Sequence, residues 1–413
     1  MRTKLSNRLV TIRRYDTVDV PLLCEAARES SPEVSVWLPW CHPLYSMEES
    51  LEWILRSCKQ WDDRREFHFG IFDSQTGVFV GGVGINELKP EHRMGNLGYW
   101  VRTRWSCRGI ATAAAILAAE FGFEELLLKR IEILVALGND RSQRVAQKLG
   151  ATREGVLRDR LFINGQMHDA VVFSLIRSSR EKSDTVSRMR VEDVESKKSF
   201  RKIRVPRDQP LEMAPKPIMK PEPIILEGNS ARLEPLDAKH AEALFAIGQD
   251  KEIWRYLLRP KLESVADAQG FVAEALRVAA TGSQLPFTIV DLKSNRVAGS
   301  TRYLDIRCSD RAIEIGSTWL GRDFQRTAIN TECKYLLLRH AFDELGAVRV
   351  TLKTDSRNEQ SQRAIERLGA VREGVLRKHM VLWDGYVRDT VYYSILDTEW
   401  PQIKKRLEKL LSC

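Results

Sequence analysis

The feature that most constrains this chain is that it repeats itself. NDRSQRVAQKLGATREGVLR starts at Asn139 and NEQSQRAIERLGAVREGVLR starts at Asn358, with 13 of 20 aligned positions identical at a spacing of 219 residues. Thr112 and Thr331 keep that spacing upstream, whereas Asp169 and Asp389, like Ser174 and Ser394, are 220 apart. One residue is therefore inserted between the repeats' shared helix and their ends, near the NG of FINGQMHD and the DG of VLWDGYVRD, both turn signals between apolar runs. Two copies of this size are too few and too large for a solenoid. The expectation is two copies of one domain, residues 1–177 and 223–398, with a linker at 178–222 and a helical tail at 399–413.

The linker carries most of the chain's charge imbalance. Residues 177–223 hold 13 Lys+Arg against 8 Asp+Glu, and the whole chain is at +9. The segment is charged and then proline-rich, with Phe200 as its one aromatic, so it cannot bury enough apolar surface to offset its ordering entropy. A solvated tether fits it better than a nucleic-acid contact. No run of about 18 apolar residues is present, which argues against a membrane span, and the basic N-terminus lacks the apolar stretch of a signal peptide. Seven cysteines at irregular spacing, without CxxC, suggest reduced thiols in a cytoplasmic protein. Without HExxH among the seven histidines, no metal is expected.

Each copy reads as an α/β domain with a mixed, mostly antiparallel sheet flanked by helices. In the first, HFGIFD, VFVGGVGINEL and NLGYWVRT are strands, and AAAILAAEFGFEELLL has helical periodicity. RIEILVAL is a strand, SQRVAQKL a short helix stopped at Gly150, and GVLRDRLFI with DAVVFSLI a closing hairpin. The second follows the same order through PFTIVDL, RVAGSTRYLDI, AIEIGSTWL, ECKYLLLRHAFDEL, AVRVTLKT and SQRAIERL.

Between the third of these strands and the long helix lies RWSCRGIAT, and FQRTAINT in the second copy. The first turn of a helix offers unpaired N–H groups and the positive end of its dipole, a cradle for phosphate. The alternative is an ordinary left-handed turn capped by Thr112. The loop contains neither GK[ST] nor GxGxxG, so it is neither an ATP nor a dinucleotide loop.

Taken together, the order of elements and the motifs WLPW (Trp37–Trp40), GYW (Gly98–Trp100), RGIAT (Arg108–Thr112) and the repeated Asn-x-x-Ser helix resemble the GNAT superfamily of acetyltransferases. The first copy is most similar to the branch that acetylates the N-termini of ribosomal proteins. The second, with EIGSTWL (Glu314–Leu320) and QRTAINTE (Gln325–Glu332), is similar to a sister branch. The resemblance implies that loop amides hold the diphosphate of acetyl-coenzyme A. That role falls on Ser106, Cys107, Arg108, Gly109, Ile110, Ala111 and Thr112, and on Gln325, Arg326, Thr327, Ala328, Ile329 and Asn330. The family pattern has glycine where the second copy has Ala328, a residue that tolerates positive φ poorly.

The reaction implied is attack of a primary amine on the acetyl thioester. A strand N–H near Trp100–Val101 or Trp319–Leu320 would polarise the carbonyl. Asn139 and Asn358 would hold the pantetheine arm, and Ser142 and Ser361 would protonate the departing thiolate; the other reading makes all four routine helix caps. Glu314 stands where the family often places a base acting through water, or else is a surface glutamate; its counterpart Asn96 cannot take a proton. Arg158 with Asp169, and Arg377 with Asp389, are expected to pair across the hairpins, while Glu154 and Glu373 are further cleft candidates. Trp37, Trp40 and Trp254 shape the acceptor side or belong to the core. The acceptor is a protein N-terminal α-amine or a small amine such as an antibiotic or polyamine, unless one copy only binds acyl-CoA. The two copies could pair within a chain or between chains.

Overall fold

The computed structural model describes residues 1–177 and 219–412, so the tether reading falls, up to residue 218, outside the described residues. The first copy contains β1 (Lys4–Ser6), β2 (Val10–Arg14), α1 (Val20–Val34), α2 (Met47–Asp62), β3 (Phe67–Asp73), β4 (Phe79–Lys89) and β5 (Met94–Val101). It continues with α3 (Ile110–Glu124), β6 (Arg130–Ala136), α4 (Asp140–Lys148), β7 (Thr152–Ile163) and β8 (Gln166–Ile176). The second contains β9 (Leu226–Glu227), β10 (Ala231–Pro235), α5 (Ala241–Ile247), α6 (Val265–Ala279), β11 (Leu285–Asp291), β12 (Arg296–Arg307) and β13 (Ala312–Leu320). There follow α7 (Ile329–Arg339), β14 (Arg349–Asp355), α8 (Glu359–Leu368), β15 (Val371–Val381), β16 (Val387–Leu396) and α9 (Trp400–Leu411).

Alternation along the strands feeds two apolar layers per copy. Ile12, Phe69, Val80, Val83 and Leu97 pack beneath α3, while Tyr15, Phe72 and Phe79 meet α1 and α2 on the other side. Phe121 of α3 is fully buried, which is worth about 1.5–3 kcal/mol against exposure. In the second copy α7, α8 and α9 cover one layer, and α5 and α6 the other. Met219, read from sequence as tether, is buried in the former, as are Trp400, Ile403 and Leu407 of α9.

All the strands of the described residues form one sheet of 16, in the order β1-β2-β3-β4-β5-β6-β8-β7-β15-β16-β14-β13-β12-β11-β10-β9. Every neighbour is antiparallel except β5·β6 and β13·β14. The copies thus pair within the chain, through β7 and β15 at Gly155 opposite Gly374. A Cβ on Gly155 would lie 2.6 Å from the Glu373 carbonyl oxygen, and one on Gly374 2.6 Å from that of Glu154. Only glycine lets the two backbones approach this closely.

This seam explains the repeated REGVLR. The Glu154 carboxylate, 1% exposed, accepts hydrogen bonds from Arg130 of its own copy (2.6 and 3.0 Å) and from Nε of Arg377 in the other (2.9 Å). Glu373 takes the mirrored place, accepting from Arg349 (2.6 Å at each oxygen) and from the backbone amide of Arg158 (2.8 Å). Arg130 donates to the Arg377 carbonyl, and Arg349 to that of Arg158. The hairpin pairs expected from sequence are therefore not formed. Asp169 accepts from the Asp159 amide and Asp389 from the Lys378 amide, closing bulges in which Asp159 and Lys378 have positive φ. Each bulge turns its arginine away from the hairpin and toward the other copy. Glu154 and Glu373 accordingly lie in the seam.

Candidate active sites

In each copy two parallel strands pair briefly and then part. β5 pairs with β6 only over Met94–Asn96, and β13 with β14 only over Ala312–Glu314. Beyond those residues the strands diverge, so Trp100–Val101 and Trp319–Leu320 border a gap. In the second copy the mouths of α7 and α8 line one cleft with Trp319 and Leu320.

Most backbone amides in the loop before each long helix make no hydrogen bond among the described residues. Among the described residues, the amides of Cys107 through Thr112 donate to no protein acceptor, while the Ser106 amide donates to the Thr103 carbonyl. Gly109 is the N-cap of α3 at φ +79 and supplies no side-chain cap; Thr112 does not cap the helix. In the second copy the amides of Arg326, Thr327, Ala328, Asn330 and Thr331 are likewise unpaired among the described residues, and that of Ile329 donates to Thr327 Oγ1 at 3.3 Å. The backbone solution differs in one detail. Cys107 and Arg326 are both left-handed, at φ 62 and 61, but Ala328 is right-handed at φ −66, so its side chain is unstrained. Gln325 donates from Nε2 to the Leu320 carbonyl at 3.0 Å, which ties the loop to the end of β13.

The short helices begin alike. The Asn139 and Asn358 side-chain oxygens accept from the amides of Ser142 (3.1 Å) and Ser361 (3.0 Å), leaving only each Nδ2 to donate elsewhere. The serines then diverge. Ser142 Oγ lies 3.0 Å from the Tyr99 hydroxyl, which reaches across the gap from β5; burial pushes the Tyr99 phenol up to about 12, with Ser142 pulling the other way. Ser361 lines an open cleft of about 2000 Å³ together with Gln325, Arg326, Thr327, Ala328, Asn330, Trp319, Leu320 and Asn358. The cleft's far wall comes from the first copy, through Lys89, His92 and Arg160.

Glu314 faces this cleft and is 3% exposed. Its Oε2 is 2.8 Å from Lys353 Nζ on β14. Burial opposes the charge on Lys353, but Glu314 outweighs it and raises the lysine's pKa. The first copy has Leu134 and Asn96 in these places. Asn96 Nδ2 donates to Asn86 Oδ1 at 2.8 Å, and its own Oδ1 is buried without a partner. A β-bulge separates the copies further. The pairing of β12 with β13 slips between Ser300 and Arg302, with Ser317 at φ 46, whereas β4 and β5 run in register from Gly81 to Asn86. Behind the bulge Lys334 of α7 donates to Thr318 Oγ1 at 2.5 Å; burial pushes this ammonium down to about 8. Its counterpart is Ala115.

Lys353, Lys334 and His379 were missed in sequence. His379 is buried, with Nδ1 3.1 Å from Thr390 Oγ1, and burial drives its pKa well down. Tyr99 was visible only as part of GYW. Trp254 belongs to the core at 1% exposure, packed 5.0 Å from Trp319. Trp40 is 38% exposed and lies 5.4 Å from Trp100, and Trp37 lies 6.4 Å from His168. Among the described residues no group of three His, Cys, Asp or Glu is placed to hold a metal, and no helix is long and apolar enough to cross a membrane.

Comparison with known proteins identifies the family. The profile of the acetyltransferase (GNAT) domain matches residues 9–152 and again 231–371. YdaF of Bacillus subtilis (strain 168), provisionally named a ribosomal N-acetyltransferase, is 30% identical over 176 residues, which is 42% of this chain and 95% of YdaF. Spermidine N(1)-acetyltransferase of Escherichia coli (strain K12) is 33% identical over 95 residues, 23% of this chain and 51% of that enzyme. A solved GCN5-related N-acetyltransferase from Brucella melitensis is 35% identical, covering 47% of this chain and 88% of its own, with a TM-score of 0.45. The chain belongs to the GNAT acetyltransferase family, with two such domains in tandem, and is an N-acetyltransferase that depends on acetyl-CoA.

Proposed function

We propose that both copies bind acetyl-CoA and that the first acetylates the α-amine of a protein N-terminus. The six unpaired amides at the mouth of α3 suit a diphosphate, since backbone N–H groups and the helix dipole both favour an anion there. The matching loop of α7 suits a second. Acetyl-CoA supplies the activated acetyl group. Amides at Trp100–Val101 and Trp319–Leu320 polarise the carbonyl, and the Nδ2 groups of Asn139 and Asn358 donate to the pantetheine arm. Ser142, coupled to Tyr99, and Ser361 donate a proton to the departing thiolate.

The observation that carries the acceptor is Asn96. An amine must be neutral to attack, and this position offers the first copy no carboxylate to deprotonate it. An α-amine, with a pKa of about 7.7–8.0, is already partly neutral at neutral pH; a lysine or polyamine nitrogen near about 10.4 needs roughly 3.5 kcal/mol more. The unpartnered Asn96 Oδ1 is an acceptor for the N–H of such an amine. In the second copy Glu314 takes the proton by way of water, held ready by Lys353. The six described cysteines are all free thiols, which suits a reducing compartment.

The test is to offer the full chain acetyl-CoA with peptides bearing one α-amine and one internal lysine, and with spermidine, and to locate the acetyl group by mass spectrometry. Acetylation at the α-amine is expected. Modification of spermidine or the lysine alone overturns the acceptor.

A further inference from the structure

The two copies differ in charge on the face of the sheet that carries Glu314 in the second and Asn96 in the first. In the second, Arg302 and Arg259 lie against the same ring, their guanidinium carbons 5.4 and 4.6 Å from the Phe271 centroid. Neither makes an ion pair among the described residues, and the Nε of each is buried without a partner. Among the described residues, Arg302 makes one hydrogen bond, from Nη1 to Gln284 Oε1 at 3.2 Å, to a neutral amide. The acid acting on Arg259 is Asp267, whose carboxylate is already taken by the amides of Glu263 and Ser264 as the cap of α6.

Two like charges share one ring, Arg302 without a counter-ion and Arg259 with only Asp267 near it, which destabilises the fold, and a buried donor without a partner adds to that. Burial, and then the charge of Arg259, push Arg302 down to about 10. The position is also directed. Arg302 is the cross-strand partner of Gly316, which lines the cleft as Gln284 does, and Leu304, two residues on, pairs with Glu314. Alternation along β12 puts Arg302 on the same face of the sheet as Glu314.

The first copy lacks this feature and is built to exclude it. Gly84, opposite Gly98, stands where Arg302 stands opposite Gly316. A Cβ there would lie 2.6 Å from His68 Nδ1, and His68 Nε2 is itself 2.9 Å from Glu66 Oε2. Where one copy has a cation pair beside a neutral glutamine, the other has a histidine 2.9 Å from a glutamate.

We propose that the second copy takes an amine acceptor carrying an anionic group, a carboxylate or a phosphate, held by Arg302 and Arg259, and that the first copy does not. This deepens the reading of the second copy as an acetyltransferase and rests on its acceptor entering on the Glu314 face.

Binding tests it apart from turnover. The full chain, saturated with coenzyme A, is titrated calorimetrically with two C-terminally amidated product mimics, acetyl-Ser-Asp-Ala and acetyl-Ser-Lys-Ala. The aspartyl peptide is expected to bind at one site per chain at least tenfold more tightly than the lysyl peptide. Arg302→Gln and Arg259→Gln should each remove most of that preference, and Arg302→Lys should keep part of it. A phosphoserine peptide then assigns the anion: tighter binding than the aspartyl peptide means phosphate, weaker means carboxylate. Equal binding of the two first peptides overturns the proposal, as does a preference that survives both glutamine variants or is lost equally with lysine. If Arg302→Gln does not fold, the more accessible Arg259→Gln answers the same question. Acetylation of both free peptides without charge preference would leave the acetyltransferase reading intact and remove the anion site. Binding of the aspartyl peptide through Arg302 without acetyl transfer would do the reverse.

Discussion

Replacing Lys334 by methionine should stabilise the second copy, and by an amount the structure sets. The ammonium of Lys334 is buried under α7 with Thr318 Oγ1 as its one hydrogen-bond partner among the described residues and with no carboxylate of theirs in ion-pair range. Burial lowers its pKa from 10.5 to about 8, a difference that corresponds to roughly 3 kcal/mol of destabilisation while the group is charged. Methionine has similar length and no charge, and Thr318 keeps its hydrogen bond to Thr301 at 2.7 Å, so no polar group is orphaned. The sign follows from proton binding. Between about pH 8 and 10.5 the unfolded chain holds the proton that the folded chain has lost, so wild-type stability rises with pH across that window. The penalty is complete below about 8 and gone above 10.5. At about 2–4 °C per kcal/mol for a unit of this size, Lys334→Met should raise the melting of the second copy by roughly 6–12 °C at pH 7. Scanning calorimetry at pH 7 and pH 10.5 checks it. No rise at pH 7, or an equal rise at both values, refutes the argument that an unpaired buried charge is present.

The seam yields further expectations. Glu154→Gln leaves Arg130 buried with a weakened partner, and loss of one member of such a pair costs about 3–5 kcal/mol; denaturant unfolding and a larger radius by X-ray scattering would report it. Burial works against ionisation of Glu154, but Arg130, Ser174 and Arg377 outweigh it and hold its pKa below 4.5. Its contribution is therefore present above that pH and is lost as the pH falls through the lower folded value, so the copies should separate in acid. Gly155→Ala or Gly374→Ala, driven into the facing carbonyl, should destabilise by about 1–3 kcal/mol in the same assay. In a Ser361→Ala background, Tyr99→Phe should lower the remaining kcat by about 10²-fold or more with little change in KM, and unchanged turnover would remove Tyr99 from the proton path.

Much of the architecture was legible because it rests on local signals. Alternating apolar runs gave the strands, the turn at Gly109 requires positive φ, and Asn139 and Asn358 cap as their spacing suggests. What stayed hidden depends on neighbours distant in sequence. Arg158 reads as the hairpin partner of Asp169 only if the ladder is regular; the bulge at Asp159 turns it toward Ser394 and Glu399, 236 and 241 residues away. The pairing of Glu314 with Lys353 joins two parallel strands whose register no single segment encodes. Concern over Ala328 came from assuming that both loops turn at the same residue, whereas the second does so only at Arg326. The contrast between Arg302 and Gly84 was likewise out of reach, since residue type alone does not reveal which cations lack a counter-ion.

The most direct test of the whole account is the number of coenzyme A molecules that one chain holds. Calorimetric titration of the full chain should give two sites, falling to one when Gly109→Val strains the first loop. Failure to bind, or two sites that persist unchanged in that variant, would contradict the assignment of the bare amides at the helix mouths.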